Sequence, residues 1–321
     1  MSGERELLRR LAAGPVSGDA LARDAGQTRA AVWKRIEALR EAGVRIDAQA
    51  GQGYTLAAPL ELLDTDALGA GLADAARSEV ASLEVAWSLD STNSELLRRD
   101  TPTQGAAILL AEQQTGGRGR RGRLWTSPLA ANLYLSVARQ FSGGLARLGG
   151  LSLVAGIAVA EALRGLGIVQ AGLKWPNDVV VGDRKLGGVL IEGGGEHGGP
   201  VRAVIGLGLN VRMPEAFARR IDQPWIDLAS LGSTTSRTGL AAAVLSQLLP
   251  ALRQFDDEGL APFHSRYAAL DVLAHRPVTV HAIHGSRDGV AEGIAEDGGL
   301  RVRIGGVIEH VYAGEVSVRA Q

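Results

Sequence analysis

The sequence contains no cysteine, which excludes disulfide bonds, thiolate metal sites and cysteine nucleophiles. It also lacks a long apolar run: the most hydrophobic stretch, 148–169, is interrupted by Glu161 and Arg164, whereas a membrane span needs about 18 uninterrupted apolar residues. The start of the chain is charged and has no apolar segment of the secretory type. We therefore expect a cytoplasmic protein that makes no membrane contact.

An excess of charge of either sign is absent as well. The 34 lysine and arginine residues nearly balance the 35 aspartate and glutamate residues, so no overall field attracts nucleic acid and any anion site must be local. The length of 321 residues predicts two or three domains of roughly 100 to 200 residues each. Glycine is abundant, with 43 residues, about 13% against a typical ~7%. It clusters between 116 and 210, where the backbone can approach a ligand closely.

Three short helices are predicted near the start of the chain. They span 4–13, 18–25 and 28–42, and Ser17 and Thr28 can cap the second and the third. The third helix has one apolar face and carries several basic side chains elsewhere. Two short helices that lead to a basic third helix are typical of a helix-turn-helix motif.

A glycine-rich hairpin follows these helices. Strands are predicted at 44–48 and 54–57, on either side of a tip at 49–53. The hairpin would be the wing of a winged helix-turn-helix domain, 1–58, although the basic residues can instead form the solvated face of a helical packing module. In a DNA-binding domain the third helix would supply the phosphate contacts. The candidate DNA-binding residues are Thr28, Arg29, Lys34 and Arg35.

The rest of the chain divides into a central α+β domain, 59–270, and a small β domain, 271–321. In the central domain the patterns predict helices at 64–77, 94–99 and 152–166, strands at 84–87, 106–112, 133–138, 179–181, 188–191 and 203–209, and a hairpin turn at Gly182 and Asp183. The helix at 152–166 is apolar almost all round, which predicts a position inside the core. The last segment alternates short strands with turns and predicts a small antiparallel barrel.

Four arginines and four glycines occupy the eight residues from Gly116 to Arg123, which we name the Arg-Gly loop. In a buried helix or strand the arginines would be unpaired, so the run predicts a loop. Glycines let backbone N–H groups close around an anion, and guanidinium groups bind carboxylate or phosphate in a bidentate manner. The alternatives are an RNA-binding tract or a solvated loop. Because the run occurs once, inside a folded domain, it favours an anion or nucleotide site.

Two lysines further along the chain are candidates for phosphate or carboxylate contacts. In the segment Lys174 to Asp178 the lysine can bind phosphate and the aspartate can bind Mg²⁺, or the whole segment can be a structural turn. Lys185 lies in the next predicted hairpin. It can contact a reacting carboxylate or be an ordinary solvated lysine.

Three other features have both a functional and a structural interpretation. Ser91 and Thr92 precede a predicted helix, where they can bind a ligand or form its N-cap. The segment Gly206 to Asn210 ends a strand with two glycines, which leave room for a flat ligand or mark a bulge. Trp225 lies in a loop and can stack on a base or act as a buried anchor.

In order and spacing these segments resemble the biotin protein ligase family. The matching segments are 113–123, 174–178, 184–188 and 206–210. With the winged helix at the start and the barrel at the end, nearly the whole chain resembles the bifunctional bacterial members, which also repress transcription. The resemblance implies a mixed-sheet catalytic domain like that of class II synthetases and lipoate ligases, and an SH3-like barrel after it.

The resemblance also implies two reactions and a regulatory role. Biotin and ATP, with Mg²⁺, would form biotinyl-5'-AMP and pyrophosphate, and biotin would then pass to a lysine of the biotin carboxyl carrier protein of acetyl-CoA carboxylase. Bound biotinyl-AMP would promote a homodimer whose paired winged helices bind a two-fold operator and repress biotin-synthesis genes.

Specific residues acquire roles from this resemblance. It implies a biotin site formed by Ser91, Thr92, Asn93, Gln114, Gly117, Arg118, Gly119, Arg120 and Lys185. It implies an ATP and adenylate site formed by Arg120, Arg121, Arg123, Lys174, Asn177, Asp178, Asn210 and Trp225, with Asp178 as the Mg²⁺ ligand. The implied catalytic residues are Lys185, Arg118 and Arg120.

Three other functions are consistent with the same residues: a ligase that has lost repression, a lipoate ligase, and a metabolite-sensing repressor without catalysis. The Arg-Gly loop and the segment Lys174 to Asp178 favour biotin over lipoate. The stretches 193–200 and 214–224 and the residue Trp33 depart from the family pattern. The operator sequence therefore does not transfer from the resemblance.

Overall fold

The computed structural model describes residues 3–49, 53–142, 144, 148–195, 200–282, 285–312 and 317–320. Within these ranges no helix is both long and apolar enough to span a membrane.

The predicted helix-turn-helix and wing are confirmed. The elements are α1 (Gly3–Ala12), α2 (Gly18–Asp24), α3 (Arg29–Glu41), β1 (Ile46–Gln49) and β2 (Gly53–Leu56). Ser17 Oγ accepts a hydrogen bond from the N–H of Ala20, and Thr28 Oγ1 accepts one from the N–H of Ala31, so both residues are the expected N-caps. The strands pair antiparallel, and most of the predicted tip, 50–52, lies outside the described residues.

The central domain is built on a seven-stranded mixed sheet. Its elements are α4 (Thr65–Ala70), α5 (Asp74–Arg77), β3 (Val80–Leu89), α6 (Thr92–Arg98), β4 (Ala106–Gln114), β5 (Leu133–Phe141), α7 (Leu151–Gly165), β6 (Ala171–Lys174), β7 (Asp178–Val181), β8 (Arg184–Gly195), β9 (Val201–Leu209), α8 (Glu215–Ala218), α9 (Arg237–Glu258) and α10 (His264–Ala268). The strand order is β3-β4-β5-β9-β8-β7-β6. Only β3 and β4 pair in parallel among these neighbours, which confirms the predicted mixed sheet.

The two faces of this sheet have different roles. On one face, alternate residues such as Val137, Ile205 and Leu207 are buried in one core with α7 and α9. On the other face, Leu96 of α6 packs against Leu109, Ala138 and Val204 of the strands, and Ser136, Gly206 and Gly208 lie further along. Because side chains alternate between the faces of a strand, one set of residues faces α7 and α9, and Ser136, Gly206 and Gly208 face the opposite side.

Some predictions in the central domain were wrong. The single helix expected at 64–77 is two short helices, because Gly71 ends α4 and the buried Leu72 separates it from α5. The longest helix, α9, and the short strand β6 were not predicted. Proline usually breaks a helix, so Pro250 inside α9 argues against this helix in the sequence, and β6 has only four residues. The turn at Gly182 and Asp183 is confirmed, since Val181 pairs with Arg184.

The last segment is a small antiparallel β domain, as expected. Its strands are β10 (Pro277–Ala282), β11 (Gly285–Ile294), β12 (Leu300–Ile304), β13 (Val307–Val311) and β14 (Ser317–Ala320), in the order β13-β12-β11-β10-β14. Its buried residues Val278, Leu300 and Val302 belong to the core of the central domain. Trp175 Nε1 donates to the carbonyl oxygen of Gly298, 3.0 Å away. The domain limits at 58/59 and 270/271 stay predictions.

The helix-turn-helix packs directly on the segment that follows the Arg-Gly loop. Leu129 and Ala130 are buried in the same apolar cluster as Leu8 and Ile36 of the helix-turn-helix. The N–H of Leu129 donates to the carbonyl oxygen of Ala42, at the end of α3, over 2.8 Å. This shared core ties the end of α3 to the central domain.

A buried ion pair between Arg237 and Glu112 joins several segments of the central domain. Their side chains are 5% and 1% exposed. Arg237 also donates to the carbonyl oxygens of Asn132 and Glu61, and Glu112 accepts from the N–H of Leu63. The pair therefore connects the start of α9, strand β4, the linker after the wing and the loop before β5.

We expect Arg237→Ala to lower the free energy of unfolding by about 3–5 kcal/mol, because it leaves the Glu112 carboxylate buried without a compensating charge. Urea denaturation followed by circular dichroism measures this change. Arg253→Ala is the matched control, since Arg253 lies on the same helix and pairs with Glu79 while 52% exposed; its loss should change stability by less than about 1 kcal/mol. Equal losses in the two variants would contradict the role given to the buried pair.

Candidate functional site

The candidate site lies on the open face of the central sheet. Ser136 on β5 pairs with Gly206 on β9, and Gly206 pairs with Leu190 on β8. Gly208, two residues further along β9, faces the same side. The glycines are required here: a Cβ atom added to Gly206 would lie 2.2 Å from Asn93 Oδ1, and one added to Gly208 would lie 2.4 Å from the Trp125 ring. We call this surface the sheet floor.

A polar cluster lies above the sheet floor at the start of α6. The N–H of Thr92 donates to Gln114 Oε1 over 2.8 Å, and its hydroxyl lies 3.1 Å from the same oxygen. Ser136 Oγ lies 2.7 Å from Thr92 Oγ1 and 2.6 Å from Asn93 Oδ1. Gln114 Nε2 donates to Ser127 Oγ. The structure therefore brings together three of the predicted biotin-site residues. Thr92 and Asn93 come from α6, and Gln114 comes from β4.

Ser91 has the structural role that the sequence left open. Its hydroxyl caps α6 by accepting from the N–H of Ser94. The preceding residue, Asp90, is bound by the Arg98 guanidinium over 2.8 and 2.9 Å, which holds the pKa of the Asp90 carboxyl far below its usual value. The carbonyl oxygen of Asp90 accepts from the N–H of Gly116, so the start of the Arg-Gly loop is fixed to this turn.

The Arg-Gly loop is confirmed as a loop. Residues Arg120–Gly122 form a single 3₁₀ turn in which Arg121 has a φ of 57°, a left-handed conformation that is uncommon for residues other than glycine. The N–H of Gly119 donates to the carbonyl oxygen of Arg123 over 2.7 Å. Arg121 and Arg123 are exposed, so their guanidinium groups are accessible to an anion.

Two arginines of the loop point back to the central sheet. Arg118 forms an ion pair with Glu192 on β8, with an N–O distance of 3.0 Å. Arg120 donates to Asn177 Oδ1 over 3.2 Å. Burial lowers the pKa of the Arg120 guanidinium, nearby Arg121 lowers it further, and Asp178 acts in the opposite direction; an arginine nevertheless stays charged in proteins.

Lys185 lies at the centre of the charged part of the site. Its Nζ is 2.6 Å from Asp178 Oδ1, and the two side chains are 18% and 26% exposed. The same Nζ is 5.6 Å from the centre of the Trp125 ring. The backbone of Lys185 is held by hydrogen bonds to Pro224 and Ile226, on either side of Trp225. Lys185 is therefore a half-buried, positioned lysine, and the solvated alternative is wrong.

The other residues predicted to bind ATP surround this pair. Asn177 donates to the carbonyl oxygen of Val189 over 2.7 Å. Lys174 lies at the end of β6, directly opposite Asp178 in the register of β6 and β7. Asn210 is buried, and its amide donates to the carbonyl oxygen of Ile226 over 3.1 Å. Asn210 thus supports the segment that carries Trp225, which is itself half-buried.

The described part of the chain contains no metal site formed by acidic, histidine or cysteine side chains alone. Among the described residues no group of three or more histidine, cysteine, aspartate or glutamate side chains lies close enough to hold an ion. Asp178 supplies one carboxylate beside two cationic side chains, Lys185 and Arg120. One carboxylate fits Mg²⁺, which usually takes one or two carboxylates together with phosphate oxygens and water.

Four residues of the site were missed from the sequence: Trp125, Ser127, Ser136 and Glu192. Trp125 and Ser127 follow the Arg-Gly loop within a few residues, so their position in the sequence alone could have indicated that they belong to the site. Ser136 lies on β5 within the sheet floor, on the face that the alternation of that strand predicts. Glu192 had no such signal, because its partner Arg118 is distant in sequence and reaches it only through the fold.

The predicted DNA-binding residues lie on α3 and its N-cap. Thr28, Arg29 and Lys34 are exposed, and Arg29 forms an ion pair with Asp19 at 3.3 Å. Arg35 is half-buried with its guanidinium against Gly3, so it faces α1. The opposite side of α3 is buried through Val32, Ile36 and Leu39.

Comparisons with known proteins agree with this organisation. Residues 85–210 match the Biotin/lipoate A/B protein ligase family, 4–55 match an HTH domain, and 276–319 match the Biotin protein ligase C terminal domain. The Bifunctional ligase/repressor BirA of Salmonella typhimurium is 42% identical over 306 residues, which cover 95% of this chain and 93% of that relative. The Biotin–[acetyl-CoA-carboxylase] ligase of Mycobacterium tuberculosis is 34% identical over 73% of this chain and 88% of its own length.

A solved structure shows the same fold. The biotin protein ligase from Aquifex aeolicus in complex with biotin and ATP superposes with a TM-score of 0.64 and 27% identity, over 75% of this chain and 100% of that one. The fold and the site thus define a ligase domain joined to a helix-turn-helix domain. The chain belongs to the biotin protein ligase family and has the domain organisation of its bifunctional ligase/repressor members.

We expect Gly206→Ala to lower the free energy of unfolding by about 1–3 kcal/mol, because the new methyl group would overlap Asn93 and force the polar cluster apart. Gly194→Ala is the control: it lies on the neighbouring strand β8, and a Cβ atom there meets no atom within 4 Å. Chemical denaturation of both variants measures the difference. A Gly206→Ala protein as stable as the Gly194→Ala protein would show that the sheet floor tolerates a larger residue.

Proposed function

We propose that this chain joins biotin to a lysine of the biotin carboxyl carrier protein of acetyl-CoA carboxylase, with ATP as the source of energy, and represses transcription through its winged helix. The observation that carries the ligase function is the Lys185–Asp178 pair, held beside the Arg-Gly loop at the edge of the sheet floor. The named relatives support the same reaction and the same fusion of ligase and repressor.

The first reaction activates a carboxylate. An oxygen of the biotin carboxylate attacks the α-phosphorus of ATP, the bond from that phosphorus to the bridging oxygen breaks, and pyrophosphate leaves with the electron pair. Negative charge builds up on the phosphate oxygens as the bond forms, and fixed cations stabilise it without rearranging. Lys185, Arg118 and Arg120 are the cations that we assign to this role.

Lys185 is the best placed of these three. Its pairing with Asp178 and its contact with the Trp125 ring limit the positions that its Nζ can take. A positioned ammonium can bind the reacting carboxylate of biotin and an α-phosphate oxygen, which brings the two reactants together. Arg120 and the exposed Arg121 and Arg123 would bind the remaining phosphate oxygens of ATP.

The second reaction forms an amide. The amine of a carrier lysine attacks the acyl carbon of biotinyl-5'-AMP, the bond from that carbon to the phosphate oxygen breaks, and AMP leaves while the amine loses a proton. Until the carrier arrives, water must be kept from the mixed anhydride. The Arg-Gly loop, fixed at Gly116 and exposed at Arg121 and Arg123, would cover it.

The polar cluster fits the head of biotin. Its urea ring has two N–H donors and one carbonyl acceptor, and Thr92, Gln114 and Ser136 present hydroxyl and amide groups above a floor of small residues. Lipoate has a dithiolane ring without such donors, so the cluster favours biotin over the lipoate alternative. Ser91 supports this site by capping α6, and Asn93 supports it through its contact with Ser136. Gly117 and Gly119 give the loop over the site its backbone freedom.

The adenylate would extend from this site towards Lys174 and Asn177, with its adenine near Asn210 and Trp225. Asn210 would act mainly by holding the Trp225 segment, since its amide is already bound to Ile226. Asp178 would hold Mg²⁺ together with phosphate oxygens of ATP. When bound, Mg²⁺ neutralises charge on the phosphates and assists departure of pyrophosphate.

The repressor function rests on the winged helix and its HTH match. Exposed Arg29 and Lys34, with the capping residue Thr28, would contact DNA phosphates, and Arg35 would contribute from the edge of α3. Biotinyl-5'-AMP would promote a homodimer, and the two-fold symmetry of the dimer would match a two-fold operator. A sensor without catalysis would not need the Lys185–Asp178 pair.

We expect the protein, mixed with biotin, ATP, Mg²⁺ and a biotin carboxyl carrier domain, to add one biotin to a carrier lysine, as detected by mass spectrometry.

Lys185→Met should slow pyrophosphate release at least about 100-fold, because a fixed cation at the developing charge is lost. Arg184→Met, the exposed neighbour, is the control and should keep its rate. Activity with lipoate alone would contradict the substrate assignment, and full activity of Lys185→Met would contradict the mechanism.

DNA binding should depend on the ligands of the ligase domain. We expect affinity for a two-fold site, selected from random duplexes by the loaded protein, to rise when biotin and ATP are added, because the adenylate promotes the dimer. Fluorescence anisotropy over a range of salt concentrations measures it, and Lys34→Ala should reduce the salt slope by about one. Affinity that is the same with and without both ligands would rule out the repressor mechanism.

A further inference from the structure

Glu192 receives contacts from two separate parts of the site. It lies on β8 with its side chain 26% exposed, and Arg118 of the Arg-Gly loop approaches it at 3.0 Å from Oε1 and 3.1 Å from Oε2. Asn93 Nδ2 donates to Oε2 over 2.8 Å. Both carboxylate oxygens are therefore engaged: Arg118 of the loop contacts both of them, and Asn93 of α6 contacts Oε2.

The contact with Asn93 fixes the orientation of its amide. Nδ2 faces two acceptors, Glu192 and the carbonyl oxygen of Leu190, so Oδ1 must face Ser136, 2.6 Å away. Since Oδ1 carries no proton, the single hydroxyl proton of Ser136 is donated to it. The lone pairs of Ser136 Oγ are then left to accept from Thr92 or from an N–H group of a ligand.

The contact with Arg118 fixes the loop. Arg118 lies between two glycines, Gly117 and Gly119, which allow the backbone many conformations. Its ion pair spans the site from the loop to β8, the strand that also carries Lys185. Without it, the loop would be held at its start by Gly116 and Asp90, but its first arginine would have no charged anchor on the sheet.

We infer that Glu192 is a positioning residue of the ligase: it anchors the Arg-Gly loop over the site through Arg118 and orients Asn93, and through Asn93 the polar cluster that receives the biotin urea ring. This inference rests on the proposed ligase function. Glu192 itself does not contact the reacting atoms. It acts on how long biotinyl-5'-AMP stays bound and on how the urea ring is received.

Two substitutions separate the two contacts. Glu192→Gln keeps an acceptor oxygen for Asn93 but removes the charge that pairs with Arg118, whereas Glu192→Ala removes both. We expect Glu192→Gln to release biotinyl-5'-AMP about fivefold faster with little change in the KM for biotin, the effect of losing a charge-assisted contact in a half-exposed pair. Glu192→Ala should also raise the KM for biotin by about fivefold or more, since Ser136 loses its fixed acceptor.

The measurement is a chase of labelled biotinyl-5'-AMP from the full-length protein, together with steady-state pyrophosphate release. Glu292→Gln is the matched control, because Glu292 is a strand glutamate paired with Arg303 in the C-terminal domain, and both rates should stay at the wild-type level. Arg118→Gln should speed release of the adenylate, and adding Glu192→Gln to Arg118→Gln should speed it little further, since the contact between the two residues is then already absent. Arg118 lies on the exposed loop, so its substitution tests the anchor even where a change at Glu192 harms folding.

The inference is overturned if Glu192→Gln releases biotinyl-5'-AMP at the wild-type rate. It is also overturned if Glu192→Gln and Arg118→Gln accelerate that release in a fully additive way. The underlying function fails in a different way. Wild-type protein that releases no pyrophosphate in the presence of biotin and ATP would refute the ligase assignment, whereas normal release by the wild type combined with unchanged release of the adenylate from the variants refutes the role of Glu192 alone.

Discussion

The buried Arg237–Glu112 ion pair is the interaction on which the arrangement of the central domain depends. A charge in an apolar interior is strongly unfavourable without a partner, so Arg237 and Glu112 can be buried only together. The carbonyl oxygens of Asn132 and Glu61 accept further hydrogen bonds from the Arg237 guanidinium. This requirement sets the start of α9 against β4 and the loop before β5. Gln114, a residue of the polar cluster, lies two positions after Glu112, so the pair also determines where that cluster sits.

The alternation of β-strands accounts for the site. On β5, β8 and β9, one set of alternate residues packs on α7 and α9, and the other set includes Ser136, Gly206 and Gly208. The second set forms a floor on which Asn93 and Trp125 lie so closely that Gly206 and Gly208 admit no side chain. The same strands thus carry the core on one face and the candidate site on the other. Charges are kept to the edge, where Lys185, Asp178 and Glu192 remain partly exposed.

The helix-turn-helix and the ligase share a boundary that begins at the Arg-Gly loop. Ser127 contacts Gln114 of the polar cluster, and two residues later Leu129 is buried in the core of the helix-turn-helix and bound to the end of α3. A short segment of chain therefore contacts the candidate site at one end and the end of α3 at the other. Packed and hydrogen-bonded elements of this kind can carry energetic coupling between two sites, and this segment is such an element.

Local chemistry is what the sequence by itself determined. The caps at Ser17 and Thr28, the glycines and arginines of the Arg-Gly loop, and the segments around Lys174 and Lys185 can be interpreted from short windows, because capping, turn formation and anion binding depend on neighbouring residues. The resemblance to biotin protein ligases was carried by the same windows. Only the tertiary structure decided which partners these residues have: that Lys185 pairs with Asp178, that Arg118 reaches Glu192, that Asn93 supports Ser136, and that α9 is held by Arg237. Those contacts join residues far apart in the chain, and their geometry follows from sheet order and core packing, which no short window contains.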